Sequence, residues 1–394
     1  MNLIYLYTSS GVSKNPLLSW DTSAVTKNKF ARQIHTDGMI QMFDLIAARG
    51  YLNSVSVFID SAKDHGKIRL SPRTNVYVVP DMDCVQKFLN PGDIIVVRGG
   101  FKSWMPFLRN LHGCRKHWIL FYAANTNRTK WSFWDVVLDD LIDEPIFIHH
   151  PPGMSRYYFN FSKPIHEGIF KPIPQTEKVY DVMAGASHIH KKKGQYQVLL
   201  ATIEYEKQTG KRLKIVLPGG TLRCFTNKLL IQMINTKVVD VDFTRAVTRI
   251  ELCKLMSQSK IFAHAGGGGQ NDRGVLEALR CGLPTIIANP KRFSPFLSSN
   301  DSVVKVLKSP PTEDVLLKAL YERSQIKYKS VRTRSKELCS AIIEMLKESG
   351  EVNVADWYSK QNGMNEVCIP KMLDLIKRIK DNPNPRGNNE GMWR

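Results

Sequence analysis

The chain has 394 residues, 43% of them hydrophobic and 23% charged, a balance that fills folded cores and excludes a disordered polymer. At this length one core ordinarily gives way to two, so two α/β domains of roughly 150 to 200 residues each are expected. Lys and Arg number 56 against 36 Asp and Glu, a formal charge of +20 that exceeds what one phosphorylated ligand needs and points to a polyanion or an anionic membrane surface as partner.

The first segment, Asn2 to Tyr7, predicts an apolar strand, and Thr8-Ser9-Ser10-Gly11 a small-residue turn that brings main-chain N–H groups to a ligand at Gly11. This start has no basic n-region or cleavage site, and no later stretch reaches eighteen apolar residues. The expectation is therefore a cytoplasmic protein, soluble or at most peripheral to a membrane. Seven cysteines without a C-x-x-C or zinc-finger spacing fit a reducing compartment, and no metal site is predicted.

A helix is predicted over 33–48, closing near Gly50. Strands follow at 54–59, 75–79, 93–97, 118–122 and 145–148, with the weak alternation of parallel strands covered on both faces. Between 151 and 175 the pattern loosens around Pro151-Pro152-Gly153 and the aromatics Tyr157, Tyr158, Phe159 and Phe161, which either pack at a junction or offer a stacking platform. A second α/β run has strands at 179–184, 213–217, 238–241, 261–264 and 284–288, with helices after Gly194 and over 273–281. From 312 onward the reading is helical, ending in an amphipathic helix over 369–379. The expected division is a Rossmann-like domain over 1–170, a second over 171–350, and a helical segment over 351–394 packing back toward the first domain.

The strongest local signal is His264-Ala265-Gly266-Gly267-Gly268-Gly269-Gln270-Asn271-Asp272-Arg273, a strand end, four glycines and a helix start. Four glycines cost chain entropy and add no packing, so close approach of main chain to a ligand is the better account. The helix behind them offers free N–H groups to an anion. Within that helix Glu277 stands among Val275, Leu276, Ala278 and Leu279 and must find donors: ribose hydroxyls, main-chain amides, or Arg280.

This segment resembles the donor loop of the family-four retaining glycosyltransferases, in which two glutamates eight residues apart precede Ala-x-x-Cys-Gly-x-Pro. Glu277, Ala278, Cys281, Gly282 and Pro284 stand in register, whereas the first glutamate is replaced by Gly269 and the turn after it by Gln270-Asn271-Asp272. Asp181 to Gly185, followed by Lys193-Gly194, is similar to the family's strand, glycine loop and Lys-Gly helix start, and Pro218-Gly219-Gly220 to its second glycine turn. The Arg that follows the glycine in the family is Ala186 here, with His188, His190, Lys191 and Lys192 as substitutes for its charge.

The resemblance implies a GT-B fold, two Rossmann-like doubly wound domains facing each other across a cleft, with 1–170 binding the acceptor and 171–350 the donor. It implies a nucleotide-diphosphate sugar as donor, a UDP-sugar expected, held by Gly11, Gly185, His188, Gly219, Gly267, Gly268, Gly269, Gln270, Asn271, Asp272 and Glu277. Lys193, Arg273 and the amides of 267–271 would meet the leaving diphosphate without a divalent metal, and Asn125 would stand where the family contacts the sugar, with His149 and His150 as competitors. An inverting mechanism would instead need a base such as Asp37 or His35.

Arg98-Gly99-Gly100-Phe101-Lys102-Ser103-Trp104 mixes cations and aromatics, and Lys14, Lys27, Lys29, Arg32, Arg109, Arg115, Lys116, Arg128 and Lys130 add charge to the same half. This combination suits double-stranded DNA, and the plan resembles the DNA-modifying glycosyltransferases of T-even-like bacteriophages. The expected acceptor is a hydroxymethylated pyrimidine in DNA, in the host cytoplasm. The alternatives are a surface-glycan or lipopolysaccharide glycosyltransferase in peripheral contact with a membrane, and a catalytically silent nucleotide- or DNA-binding protein.

Overall fold

The computed structural model describes residues 1–7, 36–60, 66–79, 83–98, 107, 118–123, 144–147, 159–160, 163–185, 194–219, 233–235, 237–244, 247–266, 273–288, 295–308, 312–313 and 332–381. The chain divides into two compact units, Met1–His166 with Asn362–Arg394, and Glu167–Gln361. The divisions thus fall at 166/167 and 361/362, against the expected 170/171 and 350/351.

The first unit is built on one sheet of β1 (Leu3–Tyr7), β2 (Val55–Asp60), β3 (Gly66–Arg69), β4 (Thr74–Val79), β5 (Ile94–Arg98), β6 (Trp118–Ala123), β7 (Glu144–Phe147) and β8 (Phe159–Asn160). Their order is β3-β4-β2-β1-β5-β6-β7-β8. Every pairing is parallel except β3 with β4. Set β3 aside and the chain runs outward from β1 in one direction, then returns to lay β5 on its other side, the doubly wound path. Ile94, Ile95, Val96 and Val97 have no exposed surface on either face, which is why β5 reads as a continuous apolar run rather than an alternation.

Helix α1 (Gly38–Ala48) begins five residues later than the predicted 33, because Asp37 is its N-cap and accepts from the Met39 N–H at 2.9 Å. A Cβ on Gly38 would lie 2.2 Å from the Pro164 carbonyl oxygen, so that helix start is pressed against the end of the unit's first segment. A single-turn helix, α2 (Asp83–Gln86), precedes β5.

The second unit holds β9 (Tyr180–Ala184), β10 (Lys214–Pro218), β11 (Asp240–Thr244), β12 (Ser259–His264), β13 (Thr285–Ala288) and β14 (Val304–Leu307). All are parallel, in the order β11-β10-β9-β12-β13-β14, which taken by chain position is third, second, first, fourth, fifth, sixth. Between them lie α3 (Gln195–Thr209), α4 (Arg249–Ser257) and α5 (Arg273–Arg280). Lys178 donates to the carbonyls of Ser257 at 2.9 Å and Ser259 at 2.8 Å, tying the end of α4 to the start of β12.

The region after 312 is not helical throughout: Thr312–Glu313 (β15) pairs antiparallel with Arg332–Thr333 (β16). Helix α6 (Ser335–Glu348) then adds Leu338, Cys339, Ile342 and Met345 to the core around α3, and α7 (Val354–Asn362) follows. A π-helical turn at Met364–Cys368 leads into α8 (Ile369–Asp381), whose apolar face enters the core of the first unit beside α1, β1 and β2.

Candidate functional site

In a parallel sheet all carboxyl ends share one edge, and the crevice where the strand order reverses is where such sheets take ligands. In the second unit the reversal lies between β9 and β12, paired Val182 to Ile261 and Ala184 to Ala263. Two loops leave this edge there, one from Gly185 to α3 and one from Ala265 to α5.

Gly185 continues β9, with φ +69° and its N–H donated to the Ala263 carbonyl at 3.0 Å. The buried Gln195 side chain lies over it, its Nε2 2.9 Å from where a Cβ would be. Gly194 is the N-cap of α3 in the left-handed region, φ +74°, and no side chain caps that helix start. A Cβ on Gly194 would stand 2.4 Å from both the Ala265 carbonyl carbon and the Gly266 nitrogen. The residue that follows Lys193 therefore meets the first glycine of the polyglycine loop main chain to main chain. Gly219, at the end of β10, donates to the Thr244 carbonyl at 3.2 Å and holds the neighbouring strand ends together.

Arg273 opens α5 and is half-buried. Glu277, one turn further on, is 4% exposed between fully buried Val275, Leu276, Ala278 and Leu279. Arg280, one of the partners expected for it, instead faces Glu167, Nε to Oε1 3.4 Å. A cation beside Glu277 is Arg249, whose Nη1 is 4.0 Å from Glu277 Oε1. Arg249 begins α4, and that helix start is fixed by a capping box: the Thr248 hydroxyl accepts from the Glu251 N–H at 3.2 Å, and the Glu251 carboxylate accepts from the Thr248 N–H at 2.6 Å. Backbone hydrogen bonding to Thr248 holds the Glu251 carboxyl below its ordinary range.

One helical turn beyond, Cys253 and Cys281 meet with sulfurs 3.7 Å apart, both buried. Their hydrogen bond draws Cys253 down to about 6 against the effect of burial and, together with burial, pushes Cys281 well up.

Lys193, His188, Gly267, Gly268, Gly269, Gln270, Asn271, Asp272, Gly11 and Asn125 lie outside the described residues, as do His35, His149 and His150. Asp37, named above as a base for inversion, has its carboxylate engaged as the cap of α1. Arg249 was absent from the sequence-based site. Its signal was there in Thr248-x-x-Glu251 ahead of Leu252, Cys253 and Met256, the pattern of a capped helix running to the site's edge.

Among the described residues no helix is long and apolar enough to cross a membrane. Neither the protein-family models nor the curated proteins give a match to this sequence. Solved structures do. Sucrose-phosphate synthase from Thermosynechococcus elongatus aligns over 96% of this chain and 99% of its own, at 12% identity and a TM-score of 0.61. Anabaena Alr3699/HepE in complex with UDP and glucose aligns over 96% and 100%, also at 12% identity and 0.61. A glycosyltransferase from Rickettsia africae aligns over 97% and 99%, at 12% identity and 0.55. At such identity the likeness establishes the fold: two Rossmann-like domains of the GT-B class.

Proposed function

We propose that the chain is a nucleotide-sugar glycosyltransferase that binds its donor at the carboxyl edge of β9 and β12 and transfers the sugar to a carbohydrate hydroxyl, as in the assembly of a surface glycan. The observation that carries this is the main-chain contact of Gly194 with Ala265 and Gly266 at the switch point, which brings the start of α3 against the residues leaving β12 where a diphosphate would meet both. In this reading Lys193, Arg273 and the amides of 267–271 meet the negative charge that grows on the departing diphosphate, and Glu277 accepts from the ribose hydroxyls. Gly11, Gly185, Gly219 and the 267–272 loop, with His188, approach the donor, and Asn125 contacts the sugar. Family-four-like chemistry makes the transfer retaining, with a UDP-sugar as donor. The full-length match to a protein solved with UDP and glucose supports that donor.

The glycan acceptor is preferred to DNA because the full-length matches include one named for sucrose-phosphate synthesis and one holding glucose. No feature among the described residues favours DNA, since the basic and aromatic loops that motivated it lie outside them. The excess charge of +20 suits an anionic glycan or a lipid headgroup equally well.

The test is transfer from radiolabelled UDP-sugars to anionic glycan extracts, lipid-linked glycan extracts and hydroxymethylated duplex DNA in parallel. Label in a glycan fraction is expected, with retention at the anomeric centre by NMR. Label in DNA alone would overturn the acceptor, and failure of every nucleotide sugar to shift thermal stability would overturn the whole reading.

A further inference from the structure

We propose that Cys253 and Cys281 are a site of reversible oxidative modification, where a peroxide converts the two buried thiols of the second unit into a disulfide.

Three observations lead there. First, the sulfurs already meet. Their Sγ atoms are 3.7 Å apart, so a closing shift of roughly 1.7 Å brings them to the bonded distance near 2.0 Å. Both residues are held by main chain. Cys253 lies within α4, and Cys281 follows α5 directly, where the N–H groups of Cys281 and Gly282 are donated to the Glu277 and Leu279 carbonyls, each at 3.0 Å. Second, the cover over the pair is thin. The Cys253 thiol donates to the Lys171 carbonyl at 3.5 Å, and Pro172 Cγ lies 3.5 Å from where a Cβ on Gly282 would be. Lys171 and Pro172 are exposed and belong to no helix or strand. Such a segment opens locally at far less than the global cost, which admits an oxidant as small as a peroxide to thiols that are each 3% exposed.

Third, the two sulfurs are poised to react in sequence. The hydrogen bond with Cys281 draws the Cys253 thiol down to about 6, whereas burial pushes the solitary stretch of α6 the other way, lifting the Cys339 thiol to about 11. The thiolate is the nucleophile toward peroxide, so Cys253 reacts first. Its sulfur attacks one peroxide oxygen, the O–O bond breaks, and the departing hydroxide takes up the thiol's proton as water, leaving a sulfenic acid. The Cys281 sulfur then attacks that sulfur, the S–OH bond breaks, and a second water carries away the Cys281 proton. Two thiols and one peroxide thus give one disulfide and two waters, and a dithiol reverses the change.

The experiment exposes the folded full chain to hydrogen peroxide at neutral pH, unfolds it in the presence of N-ethylmaleimide to block remaining thiols, and maps tryptic peptides by mass. The expected product joins peptide 250–254 to the peptide that begins at Cys281, lighter than the two reduced peptides by two hydrogens, and dithiothreitol before the blocking step restores both thiols. Cys339 should still take the maleimide. The same dose in denaturing urea should lose this selectivity and spread cross-links among the seven cysteines. In Cys281→Ala the cross-link to 250–254 should vanish and dimedone should trap the sulfenic acid on Cys253, with a melting curve to establish that the variant is folded. Where it does not fold, the map of the unmodified chain decides alone. Recovery of Cys253 and Cys281 as maleimide adducts at a dose that oxidises the half-buried Cys84 overturns the proposal, and so does conversion of the two to sulfinic acids without a cross-link.

Discussion

Gly194 meets two demands that no other residue meets together. Its φ of +74° lies in the left-handed region, and its Cα faces the Ala265–Gly266 peptide at a distance that leaves no room for a methyl group. The first demand costs an L-residue about 1–2 kcal/mol, and the second forces one of the two loops to move. Gly210, the C-cap of α3, separates them: its φ is +69°, but nothing lies within 4 Å of a built Cβ. Gly210→Ala is therefore expected to lower stability by about 1 kcal/mol and leave nucleotide affinity intact, whereas Gly194→Ala should cost at least about 2 kcal/mol and weaken UDP binding severalfold. Denaturant titration with and without UDP measures both, and equal losses at the two sites would show that the loop contact contributes nothing. Sequence reasoning reached the glycine loops because unusual glycine content is a local property. It reached Glu277 as a buried acid for the same reason, but pointed to Arg280 among its structural partners through adjacency. Arg249 is brought there only by the packing of α4 on α5.

Elements were legible where their apolar content decided their fate. The parallel strands β1, β2, β5, β9, β12 and β13 are short, mostly apolar and mostly buried runs, and their ends fall within a few residues of the expected ones. Elements held by pairing or capping were harder to see. β3 is an edge strand, Gly-Lys-Ile-Arg, that exists through its antiparallel partner β4, and β15 pairs with β16 far along the chain. Helix α4 has few buried residues and depends on its capping box. One long-range tie in the second unit has a defined pH signature. The Tyr180 hydroxyl on β9 donates to the Asp242 carboxylate on β11, reaching past β10, and Lys214 of β10 stands 5.5 Å over the tyrosine ring. Burial, then this hydrogen bond, pushes the Tyr180 phenol up to about 12. A raised folded-state value stabilises in full below the unfolded value near 10 and is lost as pH rises through about 12. Tyr180→Phe should thus cost about 1 kcal/mol at neutral pH, and melting curves should show the difference from the unmodified protein shrinking between pH about 10 and 12. A difference that is constant across that range would mean the hydroxyl is not held by Asp242.

At the scale of the whole molecule the chain leaves the first unit at His166, builds the second, and returns at Asn362, so one unit is continuous in sequence and the other is closed by its last helix. In the continuous unit the cluster around α3 takes its last members from α6, and α7 buries Val354, Ala355 and Tyr358. The first unit's core includes Met364, Cys368, Ile369, Met372, Leu375, Ile376 and Ile379 from the returning segment, packed with Met39, Phe43 and Ile46 of α1 and Tyr5 of β1. Each large apolar side chain so buried is worth about 1.5–3 kcal/mol. Removing this set therefore withdraws on the order of 10 kcal/mol, as much as the net stability of a whole domain. A chain ended before Asn362 is expected to lose cooperative unfolding of the first unit and to keep that of the second. Calorimetry with UDP separates the two, because a ligand raises only the transition of the unit that binds it, by about 2.7 kcal/mol at a hundredfold excess over its Kd. The shortened chain should show a single transition that UDP still shifts upward. Two transitions at their original temperatures would mean that α8 is dispensable to the core it enters, and one transition insensitive to UDP would mean that the donor is not held by the second unit alone.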